Sequence, residues 1–377
     1  MTRRLVGKVG VLVLIGVAVA VGLVPTIFLG APQGGGAEAS EPPTQAPASI
    51  APASPVRLSL PDDAYDLAYD QARGLVWLAV MASSQPDWLY AVAQDGSVTS
   101  WPLPDSDYNG YVSQIEVDAA GAIWVSQEYA LIRFDPESKS YQILDLAKSS
   151  PEALPGALDP ASPNPGTWIS ALAPYGDGIL VARNNVASLV AYDAHLKPLS
   201  TIPLPPELAG ARDLLSVGNV IFVLGGRTNI DVLAMIDENG TVMHEAHALS
   251  GTPQSRLALM SDGSLLTTGT TSSIVSPDTA RVEAGLTCQG LAASSIAAPD
   301  PRGGSVCYDD TTGAVRRDGS NAVLFQLPMV KGQVNDPISH MPVTVTAAPS
   351  PSAMIVDKDG TIWFFVLGTH ELVGLPD

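Results

Sequence analysis

IEVDAAGAIWVSQEYALIRFDPESKSYQILDL, residues 115–146, decides the fold. A short apolar run ends at Asp118, a turn holds Gly121, and a second apolar run carries Trp124. ALIRFD then alternates apolar and polar residues, DPES makes a turn, and KSYQILDL alternates again. Alternation between turn signals marks half-buried antiparallel strands. The segment therefore reads as four short antiparallel strands in succession.

The first hairpin recurs along the chain. It is seen in DLAYDQARGLVWLAV (66–80), SALAPYGDGILVA (170–182), LLSVGNVIFVLGG (214–226), LALMSDGSLLTTG (257–269), SSIAAPDPRGGSVCYD (294–309) and SAMIVDKDGTIWFFV (352–366). The turn glycines are Gly74, Gly121, Gly178, Gly218, Gly263, Gly304 and Gly360, spaced 40 to 57 residues apart. Three residues after each comes Trp77, Trp124, Val181, Ile221, Leu266, Cys307 or Trp363. A large apolar residue there fills the layer between packed sheets, so the three Trp read as structural. Four strands per repeat, seven times over, predict an all-β chain folded as a seven-bladed β-propeller, with six blades the alternative. The seventh unit runs out after three strands. PVRLSLP (55–61) resembles the outer strands SWPLP, STIPLP and LFQLP. Val56–Leu60 is therefore expected to close the ring as the outer strand of blade seven, removing a free sheet edge.

Three loops are long: KSSPEALPGALDPASPNPG (148–166), MVKGQVNDPISHMPVTVTAAP (329–349) and MASSQPDW (81–88). The first two join an outer strand to the next inner strand, and the third joins strands two and three. All share one face of the disc, where binding is most often carried. Inner strands begin near Tyr65, Tyr111, Trp168, Arg212 and Arg256 on that face. With His340 of the second insertion these are the candidate ligand-binding residues, since aromatic and Arg side chains make favoured anchors. The alternative is that Tyr and Trp cap the core there.

The chain opens with MTRRLVGKVGVLVLIGVAVAVGLVPTIFLG. Arg3, Arg4 and Lys8 precede an apolar run from Val9 to about Leu29, long enough for the ~20 residues that cross a bilayer. Residues 1–30 are expected to be a signal anchor or transmembrane segment that leaves the rest extracytoplasmic. Cleavage near Gly30–Ala37 would instead give a secreted protein. Residues 31–55, rich in Pro, Ala, Gly and Ser, form a tether, and 56–377 the propeller.

The formal net charge is −19. This argues against a nucleic-acid partner, which needs concentrated Lys and Arg, and suits basic ligands, divalent cations or simple solubility. Cys288 and Cys307 fall in adjacent predicted strands and suit one disulfide outside the cytoplasm; two unpaired core residues are the alternative.

DSDYNGYVSQIE (105–116) fits the residue pattern of a calcium loop. No flanking helix is expected, and Glu116 in an extended strand lies ~20 Å from Gly110 at ~3.3 Å per residue. Asp105, Asp107 and Asn109 remain candidate calcium ligands, with an Asp-rich turn as the alternative. HEAH (244–247) falls in an outer strand, where residues three apart point to opposite faces, which disfavours a metal pair.

The segment 115–146 resembles the repeat of streptogramin B lyases and of related two-component-regulator and NHL-type propellers. It shares a D-x-x-G-x-[IL]-W-[VF] hairpin, an R-[FI]-D-P turn and an outer strand, and IVDKDGTIWFFV repeats the hairpin. The resemblance implies the propeller fold. It also implies a His and Glu set with magnesium on one face, in strands where a Thr-Glu pair follows the Trp. The matching strands here read WVSQE, WLAVM and WFFVL. Only Glu128 falls near, one residue out of place, and no His stands in a matching motif. No catalytic residue is therefore assigned. Three functions follow as expectations: a module binding a protein or small-molecule ligand at the cell surface, a metal-dependent lyase, and a cell-envelope scaffold.

Overall fold

The computed structural model describes residues 54–81, 86–104, 112–147, 168–225, 232–247, 254–269, 272–277, 281–286, 294–309, 312–317, 322–335, 342–349 and 351–376. These build seven four-stranded antiparallel sheets and one two-stranded hairpin. Each sheet is one blade of a β-propeller. The innermost strands are Ala64–Asp70, Val112–Val117, Ile169–Tyr175, Asp213–Val217, Gln254–Leu259, Ser294–Pro299 and Pro351–Val356, for blades one to seven. The expected anchor at 1–30 and the tether to residue 53 lie outside the described residues. Among the described residues no helix is long and apolar enough to cross a membrane.

The core is divided among the seven blade-to-blade layers, and each layer has its own cluster. Between blades one and two, Trp77, Leu89, Ile115, Ile132 and Phe134 pack together. Between blades seven and one, Leu78, Val80, Trp363 and Phe365 do so. Blades three and four share Leu180, Leu189, Ile221 and Val223, together with Leu208 from a short 3-10 turn, Pro206–Leu208. Both faces of the middle strands are thus buried, which is why IWV and LVWLAV read as continuous apolar runs.

The D-x-x-G-x-x-W hairpin has a direct physical cause. Asp118 Oδ1 accepts the N–H groups of Ala120 and Ala122 and so closes the turn. Its Oδ2 accepts the indole N–H of the fully buried Trp124 at 2.8 Å. Asp357 does the same for Thr361 and Trp363. One carboxylate therefore satisfies the turn backbone and the single polar atom of the core Trp. Blade one departs from this. Its turn is one residue longer, Asp70 is taken by Arg73, and the Trp77 indole N–H has no partner among the described residues. Blade three departs too: its left-handed turn residue is Gly176, not Gly178. Gly178 instead starts the second strand, where a Cβ would lie 1.9 Å from the Tyr192 carbonyl oxygen.

The turns also lock neighbouring blades. Arg73 Nη1 donates to the Gly121 carbonyl at 2.9 Å, joining blade one to blade two. Gln94 donates to Asp357 and Asp359, joining blade one to blade seven. Val56–Ser59 pairs antiparallel with Glu371–Leu375 and supplies the fourth strand of blade seven. Arg57 and Glu371 form an ion pair across that seam. The second insertion contains the extra hairpin, Val330–Asn335 paired with Pro342–Ala347.

Candidate functional site

Inner strands line the central channel, so polar residues in them are the ones to explain. Six of the seven carry a register irregularity near their start: between Ala64 and Leu67, Val112 and Gln114, Ile169 and Ala171, Gln254 and Arg256, Ser294 and Ile296, and Pro351 and Ala353. A bulge breaks the alternation and re-aims a side chain. Asp66, Gln114 and Arg256 stand at these bulges, and Asp213 opens the inner strand of blade four.

These four side chains form one network. Asp66 Oδ2 accepts the Ile115 N–H at 3.0 Å, which carries blade one to blade two. Gln114 Oε1 accepts the Leu172 N–H at 2.5 Å, from blade two to blade three. Asp213 Oδ2 accepts the Leu257 N–H at 2.5 Å, from blade four to blade five. The Gln114 amide also donates to Asp213 Oδ1 and to the Arg212 carbonyl. Arg256 Nη2 of blade five lies 2.7 Å from Asp66 Oδ1 of blade one, an ion pair across the ring. Glu116 faces the same space with no hydrogen bond among the described residues.

Three carboxylates thus share one guanidinium. Burial raises Glu116 well above its ordinary value, and the charges of Asp66 and Asp213 push it further. Burial raises Asp213 to about 6, against the opposing pull of Arg256. Burial also raises Asp66, although Arg256 and two backbone N–H groups resist. Burial opposes the charge on Arg256, but the three carboxylates outweigh it and raise its pKa. An arriving positive charge would favour the ionised form of all three carboxyls. The network borders a cavity of about 320 Å3 whose apolar wall includes Leu215, Ile296 and Met354.

The structure brings one of the six proposed ligand residues, Arg256, into this network. Arg212 contributes its backbone carbonyl there, while its side chain donates to the Gly225 carbonyl. Tyr65 and Trp168 are each 38% exposed on the face where inner strands begin. Tyr111, His340, Asp105, Asp107, Asn109 and Cys288 lie outside the described residues. Cys307 is buried and disulfide-bonded. Reading the sequence missed Asp66, Gln114, Asp213 and the channel position of Glu116. The available signal was a polar residue inside an apolar inner strand, as in YDLAYD, VSQIEV and ARDLLSV.

No protein-family model matches the chain, and no curated protein sequence matches it. Solved structures do. A streptogramin B lyase matches with a TM-score of 0.59 at 12% identity, over 85% of this chain and 96% of that one. The virginiamycin B lyase of Staphylococcus aureus matches with a TM-score of 0.59 at 13% identity, over 86% and 99%. The WD40 β-propeller domain of Doa1 matches with a TM-score of 0.56 at 9% identity, over 86% and 96%. At such identities the likeness is one of fold, and the chain is in fold a streptogramin B lyase-like, seven-bladed β-propeller.

Proposed function

We propose that this propeller is an extracytoplasmic binding module, tethered to the cell membrane by residues 1–55. It takes a protein or small-molecule ligand on its loop-rich face, at the mouth of the channel. The observation that carries the reading is the surplus of carboxyl groups there: Asp66, Glu116 and Asp213 face a single Arg256. A cationic group, such as an amine or guanidinium, complements that surplus in a site partly withdrawn from water. Its arrival would favour the ionised carboxyls and draw protons off them. The test is isothermal titration of the full-length chain in detergent with a short Arg- and Lys-bearing peptide, in two buffers of different ionisation enthalpy. The expected result is proton release on binding that is reduced in Glu116→Gln. Binding with no proton linkage, or none at all, would sink the channel as the ligand site.

A lyase reading is favoured by one finding: a propeller of this fold, an inactive virginiamycin B lyase, was solved with Quinupristin. On this reading the chain opens a cyclic ester of that class with a divalent metal. Incubating the protein with quinupristin and magnesium and following its mass decides the matter. Unchanged quinupristin would remove the enzymatic reading and leave the binding module.

A further inference from the structure

The same face carries a second set of groups that the channel does not use. Asp62 and Asp63 lie in the connection between the closing strand and the inner strand of blade one. His370 lies in the turn between the second and third strands of blade seven, 307 positions away from Asp63. Ring closure brings a ligand atom from each of the three to within 4.8 Å of the others, and no other such trio occurs among the described residues. His370 Nδ1 sits 2.9 Å from Asp63 Oδ1, with side chains 37% and 26% exposed. The backbone fixes this meeting from both sides. The Leu60 N–H donates to the His370 carbonyl at 2.8 Å, and the Gly368 N–H donates to Asp63 Oδ1 at 3.3 Å. His370 itself is held at φ +54°, a conformation that non-glycine residues adopt rarely.

We propose that Asp62, Asp63 and His370 form a divalent transition-metal site on the seam between blades seven and one. The donor set is one imidazole and two carboxylates. It suits zinc, cobalt or manganese better than calcium or magnesium, which favour all-oxygen shells. Donors bound to one such ion at ~2.1 Å in tetrahedral array lie about 3.4 Å apart, so the observed spacings, all within 4.8 Å, need only small rotations of half-buried side chains. Three protein ligands leave the remaining position to water or to a donor from a bound partner. Because the ligands come from both sides of the seam, the ion also clips the ring shut.

The full-length chain in detergent, stripped with chelator, is titrated with zinc alone and with cobalt alone. The expected result is one ion per chain, visible d–d absorption for cobalt, and a higher melting temperature with metal. His370→Asn, which tolerates the left-handed backbone, and Asp62→Asn, which keeps an acceptor for the Asp63 N–H, should each weaken binding at least tenfold. His244→Asn in the outer strand of blade four should leave it unchanged. No bound ion in the native chain overturns the proposal, as does undiminished affinity in His370→Asn. If His370→Asn fails to fold, Asp62→Asn decides by the same criterion.

Discussion

Asp118 shows how one side chain can specify a hairpin. It satisfies two turn N–H groups and the Trp124 indole, and it is only 4% exposed. Asp118→Ala leaves those donors unpaired in the core and should cost about 2–4 kcal/mol. A lower urea midpoint at unchanged m-value would show it, and a midpoint within error of the native chain would refute this reading of the motif. The channel carboxylates act in the opposite sense. Asp213 has a folded pKa near 6 against an ordinary 3.8. Between those values the folded chain holds more protons than the unfolded one. Stability conferred by Asp213 therefore falls as pH rises from about 4 to 6, by at most about 3 kcal/mol. Asp66 and Glu116 are raised too and add to the same slope. The turn residues Asp193 and Asp237 are held low by the Lys197 and Thr241 N–H groups and lose their contribution only below 3.8. Urea midpoints at pH 4.5 and 7.5 should show the decline, and Asp213→Asn should make it shallower. A native slope in that variant would mean Asp213 does not titrate in this window.

At the scale of the element, the turn glycines separate two costs. Gly218 has φ +60° with nothing within 4 Å of an added Cβ. Gly121 has φ +80°, and its Cβ would lie 2.3 Å from Arg73 Nη1. Gly218→Ala should cost only the left-handed backbone term, about 1 kcal/mol. Gly121→Ala should cost roughly 1 kcal/mol more, because it also displaces the arginine that bolts blade one to blade two. Equal losses in denaturant unfolding would show that the bolt contributes nothing. Elements of this kind were legible wherever the Asp, Gly and Trp of 118–124 recur. They were less so in blade three, where YGDG holds two glycines and the spacing alone selects the wrong one. The inner-strand bulges were not legible. A bulge is a pairing between strands, and nothing in QSRLAL marks which residue lacks a partner.

At the largest scale the propeller is a ring, and its stability should depend on closure. Removing residues 1–60 would leave Glu371–Leu375 as an open edge and strip the cluster between blades seven and one of Leu60, Val56 and Leu58. That form should self-associate in size-exclusion chromatography, while removal of residues 1–50 should not cause association. A monomeric, cooperatively unfolding 61–377 would show that closure is dispensable. The sequence by itself determined an all-β chain, its repeat and its count of blades. Alternation and turn chemistry are local properties, readable within a few residues. Only the tertiary structure decided which polar side chains meet. Arg256 reaches Asp66, and His370 reaches Asp63, because the ring brings blade five opposite blade one and blade seven beside it. Those encounters are set by closure of the whole ring, to which every blade contributes and which no short stretch of sequence contains.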